Sequence, residues 1–210
     1  SSLQLGKDIG VTQKTAWFML HRIREMLTEK NPQALNNIVE SDESFFGGKE
    51  KNKHAHKKTE GTQGGSGKAV VLGLLERGGN IKTTQIENRE GETLLPIIAE
   101  QVTPGATIAT DELRGYSQLS KNYTHLTVNH SMGEYVNGLA HTNGVEGFWS
   151  LMKRGINGIQ HSVSKKHLHR YCDEYAYRYN SRKIADAERF VNAMQHTEGR
   201  LTYANLIAKA

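Results

Sequence analysis

The chain has 210 residues, with 27 lysines and arginines against 22 acids, which gives a net charge of +5 and a pI of about 9.2. This modest basic excess fits a polyanionic partner, although ordinary basic enzymes share it. Because Cys172 is the only cysteine, a disulfide framework and a cysteine-based zinc site are excluded. The sequence contains no apolar run of about 18 residues and does not start with a signal-peptide pattern. We therefore expect a cytoplasmic protein that does not span a membrane.

The first 30 residues predict two helices joined by a turn. Apolar residues recur at helical spacing on both sides of Gly10, and Thr12 is placed to cap the second helix. This is the pattern of a helix-turn-helix, whose second helix places its first residues against base edges in the major groove. We expect residues 1–30 to bind DNA; the alternative is a helical hairpin that only packs on the core. The residues expected to face DNA are Gln13, Lys14, Thr15 and Arg22.

The next elements predict a mixed sheet. Residues 38–46 have the pattern of a strand, and residues 69–75 and 81–86 are strands joined by a Gly-Gly turn, so these three form an antiparallel meander. The later elements are a helix at 92–102, a strand at 107–110, a helical turn at 115–119, a strand at 123–128 and helices at 142–154 and 165–183. This order is the plan of a ribonuclease-H-like α/β fold, a mixed sheet flanked by helices. We assign the core to residues 36–185 and a helical extension to 186–210.

Residues 49–68 form a basic segment inside this core. They include six lysines, two histidines and four glycines, with almost no apolar side chain. Such a segment cannot bury enough surface to order itself, so it predicts a mobile loop or arm. Most charge runs are only solvated surface, but next to the other features we favour contact with DNA, through residues such as Lys57 and Lys58.

Three acids are candidate ligands for metal ions. Asp42 lies in the first strand, which has three acids in four residues, and Asp111 directly follows the fourth strand. Glu146 lies on the predicted helix at 142–154. Two-metal phosphoryl transfer needs hard oxygen ligands that hold two ions about 4 Å apart. Singly each acid would be a surface residue, but together with the fold order they predict a two-metal site. The polar helix face that includes Glu146 also carries Asn143, Ser150 and Lys153.

Four segments carry a resemblance to a known family: VTQKTAW at 11–17, DESFFGG at 42–48, TDE at 110–112 with Gly115 and Tyr116, and HTNGVEGFWSLMKR at 141–154. With these segments the chain resembles insertion-sequence transposases of the ISXO type, bacterial relatives of the eukaryotic Merlin elements, over essentially its whole length. The resemblance implies a DDE-type catalytic domain, with 34 residues between the second Asp and the Glu and a basic residue seven positions later. Asp111, Glu146 and Lys153 satisfy both spacings.

The third acid has an alternative. Some members of this group have Asn in its place, and Asn143 lies one turn before Glu146. We favour Glu146 because a carboxylate binds a divalent ion better than an amide does. Asn143 stays open as a ligand or an orienting group.

The sequence thus leads us to expect a DNA transposase that cuts insertion-sequence ends and joins them to target DNA. Two Mg²⁺ or Mn²⁺ ions on Asp42, Asp111 and Glu146 would serve both steps. Lys153 and Arg154 would contact phosphates beside the scissile bond. The expected partners are double-stranded DNA, from transposon ends and target, and further copies of the chain, in a homodimer or higher oligomer associated with the nucleoid. The alternatives are a non-catalytic helix-turn-helix regulator and a ribonuclease-H-type nuclease without joining activity.

Two further patterns favour structural interpretations. The histidines that could suggest zinc come in pairs spaced by two residues, whereas a zinc-binding helix spaces them by four. Tyr171, Tyr175 and Tyr179 recur every four positions, which predicts a core stripe rather than a base-stacking platform. His141, at the start of a helix, is interpreted as a cap or packing residue before an acid–base group. The paired histidines are His54 with His56 and His167 with His169.

Overall fold

The computed structural model describes residues 1–48, 67–129, 136, 138–199 and 201–208. Lys57, Lys58 and most of the basic segment lie outside the described residues, as does most of the loop predicted at 131–140. The strands are β1 (Ile38–Phe46), β2 (Ala69–Glu76), β3 (Ile81–Ile86), β4 (Thr107–Thr110) and β5 (Thr124–Thr127). The helices are α1 (Ser2–Ile9), α2 (Gln13–Met26), α3 (Gly91–Gln101), α4 (Asn143–Gly155), α5 (Leu168–Asn180), α6 (Asp186–Met194) and α7 (Tyr203–Ile207).

The five strands form one mixed sheet in the order β3-β2-β1-β4-β5. The pairs β1–β2 and β2–β3 are antiparallel, while β1–β4 and β4–β5 are parallel. From β3, at one edge of the sheet, the chain returns through α3 to β4, which pairs with β1 on the other side of the sheet, so α3 is the crossover that a parallel strand needs. The arrangement confirms the ribonuclease-H-like fold expected from the order of elements.

Helices cover both faces of the sheet. On one face Leu72 and Leu74 of β2 pack with Leu94 and Ile98 of α3. On the other face Val71 of β2 belongs to the cluster formed with α4 and α5. Because β2 is central and covered on both sides, its sequence is a nearly continuous apolar run. The tyrosine stripe lies in the second cluster, where Tyr171 and Tyr175 are buried and Tyr179 is partly buried against the cluster, so it is a core stripe.

The two helices predicted for residues 1–30 are present as α1 and α2, which pack against each other as a hairpin. Gly10 adopts φ 69° and ψ 30° at the end of α1, a left-handed conformation that favours glycine. Thr12 caps α2, since its hydroxyl accepts a hydrogen bond from the Thr15 N–H at 3.2 Å. The hairpin packs on α5, where Arg24 Nε and Glu174 Oε2 form a buried ion pair at 2.8 Å. DNA binding by its exposed end stays a prediction.

Several elements depart from the sequence expectations in detail. The helical turn expected at 115–119 is replaced by two single 3₁₀ turns, Arg114–Tyr116 and Leu119–Lys121. Beyond α4 the chain continues as a π-helical turn, Ile156–Gln160, although the prediction ended at residue 154. Pro96 lies in the second turn of α3 rather than near its first, at an exposed position where water can serve the unpaired carbonyl. Within the described ranges, no helix has the length and apolarity that a membrane crossing requires.

Candidate active site

Asp42 and Asp111 lie at the same level of the two central parallel strands. The pairing of β1 with β4 places Glu40 opposite Ala109, and each aspartate lies two residues beyond that pair. Side chains two residues apart on a strand point to the same face, so both aspartates share the face of Glu40. That face is the one on which α4 packs. Both aspartates are partly buried.

Glu146 reaches the same face from the first turn of α4. The helix buries its apolar stripe against β1 and β2 and leaves Glu146 exposed. Gly73, the partner of Asp42 on β2, makes this close packing possible. A Cβ atom at Gly73 would lie 2.5 Å from Cζ2 of Trp149, so any larger residue would push α4 away from the sheet. The buried apolar stripe consists of Val145, Phe148, Trp149 and Met152.

The charges of the three carboxylates act on one another. Burial and the nearby charge of Asp111, with a smaller contribution from Glu146, raise the pKa of Asp42 to about 6. Lys153 acts in the opposite direction on the same group. The charges of Asp111 and Glu146 beside Asp42 concentrate negative potential on this face, which favours a cation.

Asp111 and Glu146 each have one carboxylate oxygen that accepts a hydrogen bond from a residue close to it in the sequence. Asp111 Oδ1 accepts a hydrogen bond from the Leu113 N–H at 3.0 Å. Glu146 Oε1 accepts one from the Thr142 hydroxyl at 2.8 Å. Among the described residues, no group of three or more His, Cys, Asp or Glu side chains stands close enough to hold a metal ion as it is. The hard oxygen donors and their mutual repulsion nevertheless fit Mg²⁺ or Mn²⁺.

Lys153 and Arg154 lie in the last turn of α4, whereas Glu146 lies in its first turn. Both side chains are exposed near the end of the helix, and Lys153 Nζ lies 6.0 Å from the centroid of the Phe46 ring on β1. Asn143, the first residue of α4, and Ser150 are exposed as well. The polar face predicted for this helix is therefore open to a ligand.

Glu43, the neighbour of Asp42, points to the opposite face of the sheet. Its Oε1 accepts a hydrogen bond from the Tyr116 hydroxyl, which in turn accepts one from Ser41 Oγ at 3.0 Å. Burial raises the pKa of Glu43 to about 7. Tyr116 belongs to the 3₁₀ turn that follows Asp111, so this chain of hydrogen bonds ties β1 to the segment after β4.

Glu40 is the third acid of β1, and sequence reasoning gave it no role. Its side chain is 1% exposed, and Oε1 lies 2.7 Å from Arg77 Nε and 3.3 Å from His141 Nδ1. Oε2 accepts hydrogen bonds from the N–H groups of Gly144 at 2.7 Å and Val145 at 3.0 Å. The only signal in the sequence was the unusual density of acids on one strand, which does not identify the partners.

The residues expected to bind DNA in the N-terminal hairpin lie far along the chain from these acids, and the structure leaves them on the surface. Gln13, Lys14, Thr15 and Arg22 are all exposed on α2. Lys14 Nζ lies 4.9 Å from the centroid of the Tyr203 ring, and Arg22 stacks near Phe18.

Comparison with known proteins identifies the family. A model of the ISXO2-like transposase domain matches residues 34–180. An uncharacterized transposase-like protein of Haemophilus influenzae is 31% identical over 105 residues, which cover 50% of this chain and 84% of that protein. An uncharacterized protein in transposable element ISH50 of Halobacterium salinarum is 28% identical over 186 residues, covering 83% of this chain and 63% of the relative. The chain therefore belongs to the ISXO2-like transposases of insertion sequences, as its resemblance indicated.

Solved structures also align with this chain. The catalytic core domain of the HTLV-2 integrase, in complex with magnesium, is 14% identical and aligns with a TM-score of 0.42. The alignment covers 77% of this chain and 98% of that one.

Proposed function

We propose that this DDE-type transposase domain cleaves DNA at insertion-sequence ends and transfers the cut strand to target DNA, using divalent ions at Asp42, Asp111 and Glu146. The observation that carries the proposal is the common face of these three acids. Two come from adjacent parallel strands and one from the helix above them, and their charges act together on Asp42.

The acids would hold two Mg²⁺ or Mn²⁺ ions, which when bound activate the attacking oxygen and stabilise the leaving oxygen. The chain's own contribution is to hold the ligands in position. The sheet fixes Asp42 and Asp111 relative to each other, while the packing of α4 fixes the height of Glu146 above the sheet. The Thr142 hydroxyl orients one carboxylate oxygen of Glu146. Such support of a ligand is what keeps an active site within the tolerance that catalysis needs.

Lys153 and Arg154 are placed to bind the phosphates of the scissile strand. Both are exposed on α4, and the positive charge of Lys153 already acts on Asp42. A substitution here is expected to weaken DNA binding without changing sequence preference, because phosphate contacts carry no base information.

The rest of the proposal concerns partners and domains. Residues 1–30, 36–185 and 186–210 would serve as DNA-binding hairpin, catalytic core and helical extension. Joining two transposon ends to one target requires more than one copy of the core, so we propose a homodimer or higher oligomer on double-stranded DNA. Gln13, Lys14, Thr15 and Arg22 would contact the transposon end.

The test is cleavage and strand transfer on a supercoiled plasmid, with duplex oligonucleotides that carry the ends of the element encoding this chain. Wild type is compared in Mg²⁺ and Mn²⁺ with Asp111→Ala, Glu146→Ala and Asn143→Ala. We expect metal-dependent joining, lowered by about a thousandfold or more in the first two variants, since metal ligands contribute several kcal/mol to the transition state. Asn143→Ala should stay within about tenfold of wild type.

Other outcomes have distinct meanings. Loss in Asn143→Ala with Glu146→Ala active would move the third ligand to Asn143. Cleavage without joining would show a ribonuclease-H-type nuclease. Binding of DNA with neither reaction in any metal would contradict the proposal and favour a regulator.

A further inference from the structure

Glu40 is a buried carboxylate whose two oxygens both serve the start of α4. Oε2 accepts the N–H groups of Gly144 and Val145, the second and third residues of the helix. The first N–H groups of a helix have no acceptor within the helix, so they need one from elsewhere. A carboxylate there also interacts favourably with the helix dipole. Glu40 is therefore an N-terminal anchor supplied by the sheet.

Through Arg77, the same carboxylate also interacts with the segment that precedes α4. Arg77 Nε binds Glu40 Oε1, and the other end of its guanidinium donates to the carbonyls of Leu139 at 2.8 Å and His141 at 2.9 Å. Arg77 thus bridges the anchor and the chain just before the helix. A buried carboxylate with this set of partners is held in a single position.

Two further features show that the helix start is built around Glu40. A Cβ atom at Gly144 would lie 2.8 Å from Glu40 Oε2, so the close approach of the carboxylate requires glycine at this position. Thr142 occupies the capping position of α4, but its hydroxyl donates to Glu146 Oε1. The cap residue thus orients Glu146, and Glu40 takes over the capping of the helix.

We propose that Glu40 is a positioning residue that fixes the first turn of α4 on β1 and thereby sets Glu146 opposite Asp42. Glu40 and Asp42 lie two residues apart on the same face of one strand, so the strand that carries one ligand also anchors the helix that carries another. The consequence for metal binding rests on the function proposed above. The anchoring of the helix start does not.

The experiment compares Glu40→Gln with Glu174→Gln in the full chain. Gln keeps the size of the side chain but removes its charge and replaces one acceptor by a donor. Glu174 is a matched control because its carboxylate, 13% exposed, also pairs with a buried arginine but lies on α5. Each variant is examined by amide hydrogen exchange and by titration with Mn²⁺, at a temperature where both are fully folded.

We expect Glu40→Gln to speed exchange of the Gly144 and Val145 amides by about tenfold, while the later turns of α4 keep their protection. Its Mn²⁺ affinity should fall by about 10- to 100-fold, the range for loss of a group that supports a metal ligand. Glu174→Gln should change both quantities by less than about twofold. If Glu40→Gln does not fold, Glu40→Asp keeps the charge but shortens the reach, and should show the same two changes to a smaller extent.

The proposal would be overturned if the Gly144 and Val145 amides exchanged as slowly in Glu40→Gln as in wild type. It would also be overturned if Glu40→Gln and Glu174→Gln changed the exchange rates and the Mn²⁺ affinity equally. Unchanged Mn²⁺ affinity together with faster exchange would overturn the link to Glu146. The proposed function would fail if the wild-type chain did not bind Mn²⁺. It would also fail if Asp111→Asn bound Mn²⁺ as tightly as wild type does. The exchange measurement alone would then decide whether Glu40 anchors α4.

Discussion

Asp42 and Glu43 are adjacent acids on β1, but they face opposite sides of the sheet and meet different surroundings. Asp42 faces α4, where Asp111 and Glu146 add negative charge to it. Glu43 faces the 3₁₀ turn after β4, where the Tyr116 hydroxyl binds it. Burial raises the pKa of both, to about 6 and about 7. On the face of Asp42 several negative charges lie close together. On the face of Glu43 the carboxylate accepts a hydrogen bond from a tyrosine hydroxyl.

The role of each acid is set by the face of the strand that carries it and by how deeply its side chain is buried. Glu40 shares the face of Asp42 but is almost completely buried, and the start of α4 and Arg77 use its oxygens. Asp42 lies two residues later on the same face, in the middle of β1, and is only partly buried. Three acids within four residues therefore serve as helix anchor, candidate ligand and cross-link to the neighbouring segment.

The largest effect on stability is expected from the position that lets α4 approach Asp42. Gly73→Ala would place a Cβ atom 2.5 Å from the Trp149 ring and 3.0 Å from Val145 Cγ2. Overpacking of this kind costs about 3 kcal/mol, and relief requires α4 to move off the sheet. Urea unfolding measures the loss. Gly147→Ala is the control, because its Cβ would meet nothing within 4 Å and alanine should stabilise the exposed helix by about 1 kcal/mol. Equal effects of the two substitutions would show that α4 is not held closely at Gly73.

A change of pH is expected to have a smaller effect on the free energy of unfolding, through the titration of Asp42. The folded pKa of about 6 lies above the usual 3.8, so the folded state holds a proton that the unfolded chain has already lost. The contribution of Asp42 to stability should fall as pH rises from about 4 to about 6, and this loss should be complete above that. Asp42→Asn removes this penalty. Without divalent ions, it should be about as stable as wild type near pH 4 and about 2 kcal/mol more stable at pH 7.5, after allowance for its partial exposure.

The check is the free energy of unfolding in urea with EDTA at several pH values. A difference between Asp42→Asn and wild type that stays the same from pH 4.5 to 7.5 would contradict the electrostatic account of this face.

Much of the fold was predictable because its signals are local. Alternation and turn glycines predicted β1 with its observed bounds, and the apolar stripe of α4 predicted which side chains would be buried. The 3₁₀ turns after Asp111 were interpreted as one helical turn because composition does not distinguish them. Their geometry depends on the tertiary position of Tyr116, which binds side chains of β1.

The site was predictable only as a set of candidate residues. The strand pattern put Asp42 in the first strand and Asp111 directly after the fourth, and the helix pattern put Glu146 on a polar face. The role of Glu40 was not predictable, because its partners come from the β2–β3 turn and from the start of α4. Arg77 lies 37 positions from Glu40 along the chain, and Gly144 lies 104 positions from it. Nothing in local periodicity connects residues at such separations.

The most direct test of the central claim is the change in melting temperature of the full chain on adding Mn²⁺ at pH 7.5, compared between Asp42→Asn and Glu43→Gln. An ion that binds only the folded state stabilises it by about 2.7 kcal/mol at a hundredfold excess over its dissociation constant. We expect wild type and Glu43→Gln to melt at higher temperature with Mn²⁺, while Asp42→Asn does not respond. A response in Asp42→Asn equal to that of wild type would contradict the claim that this face of β1 holds the metal.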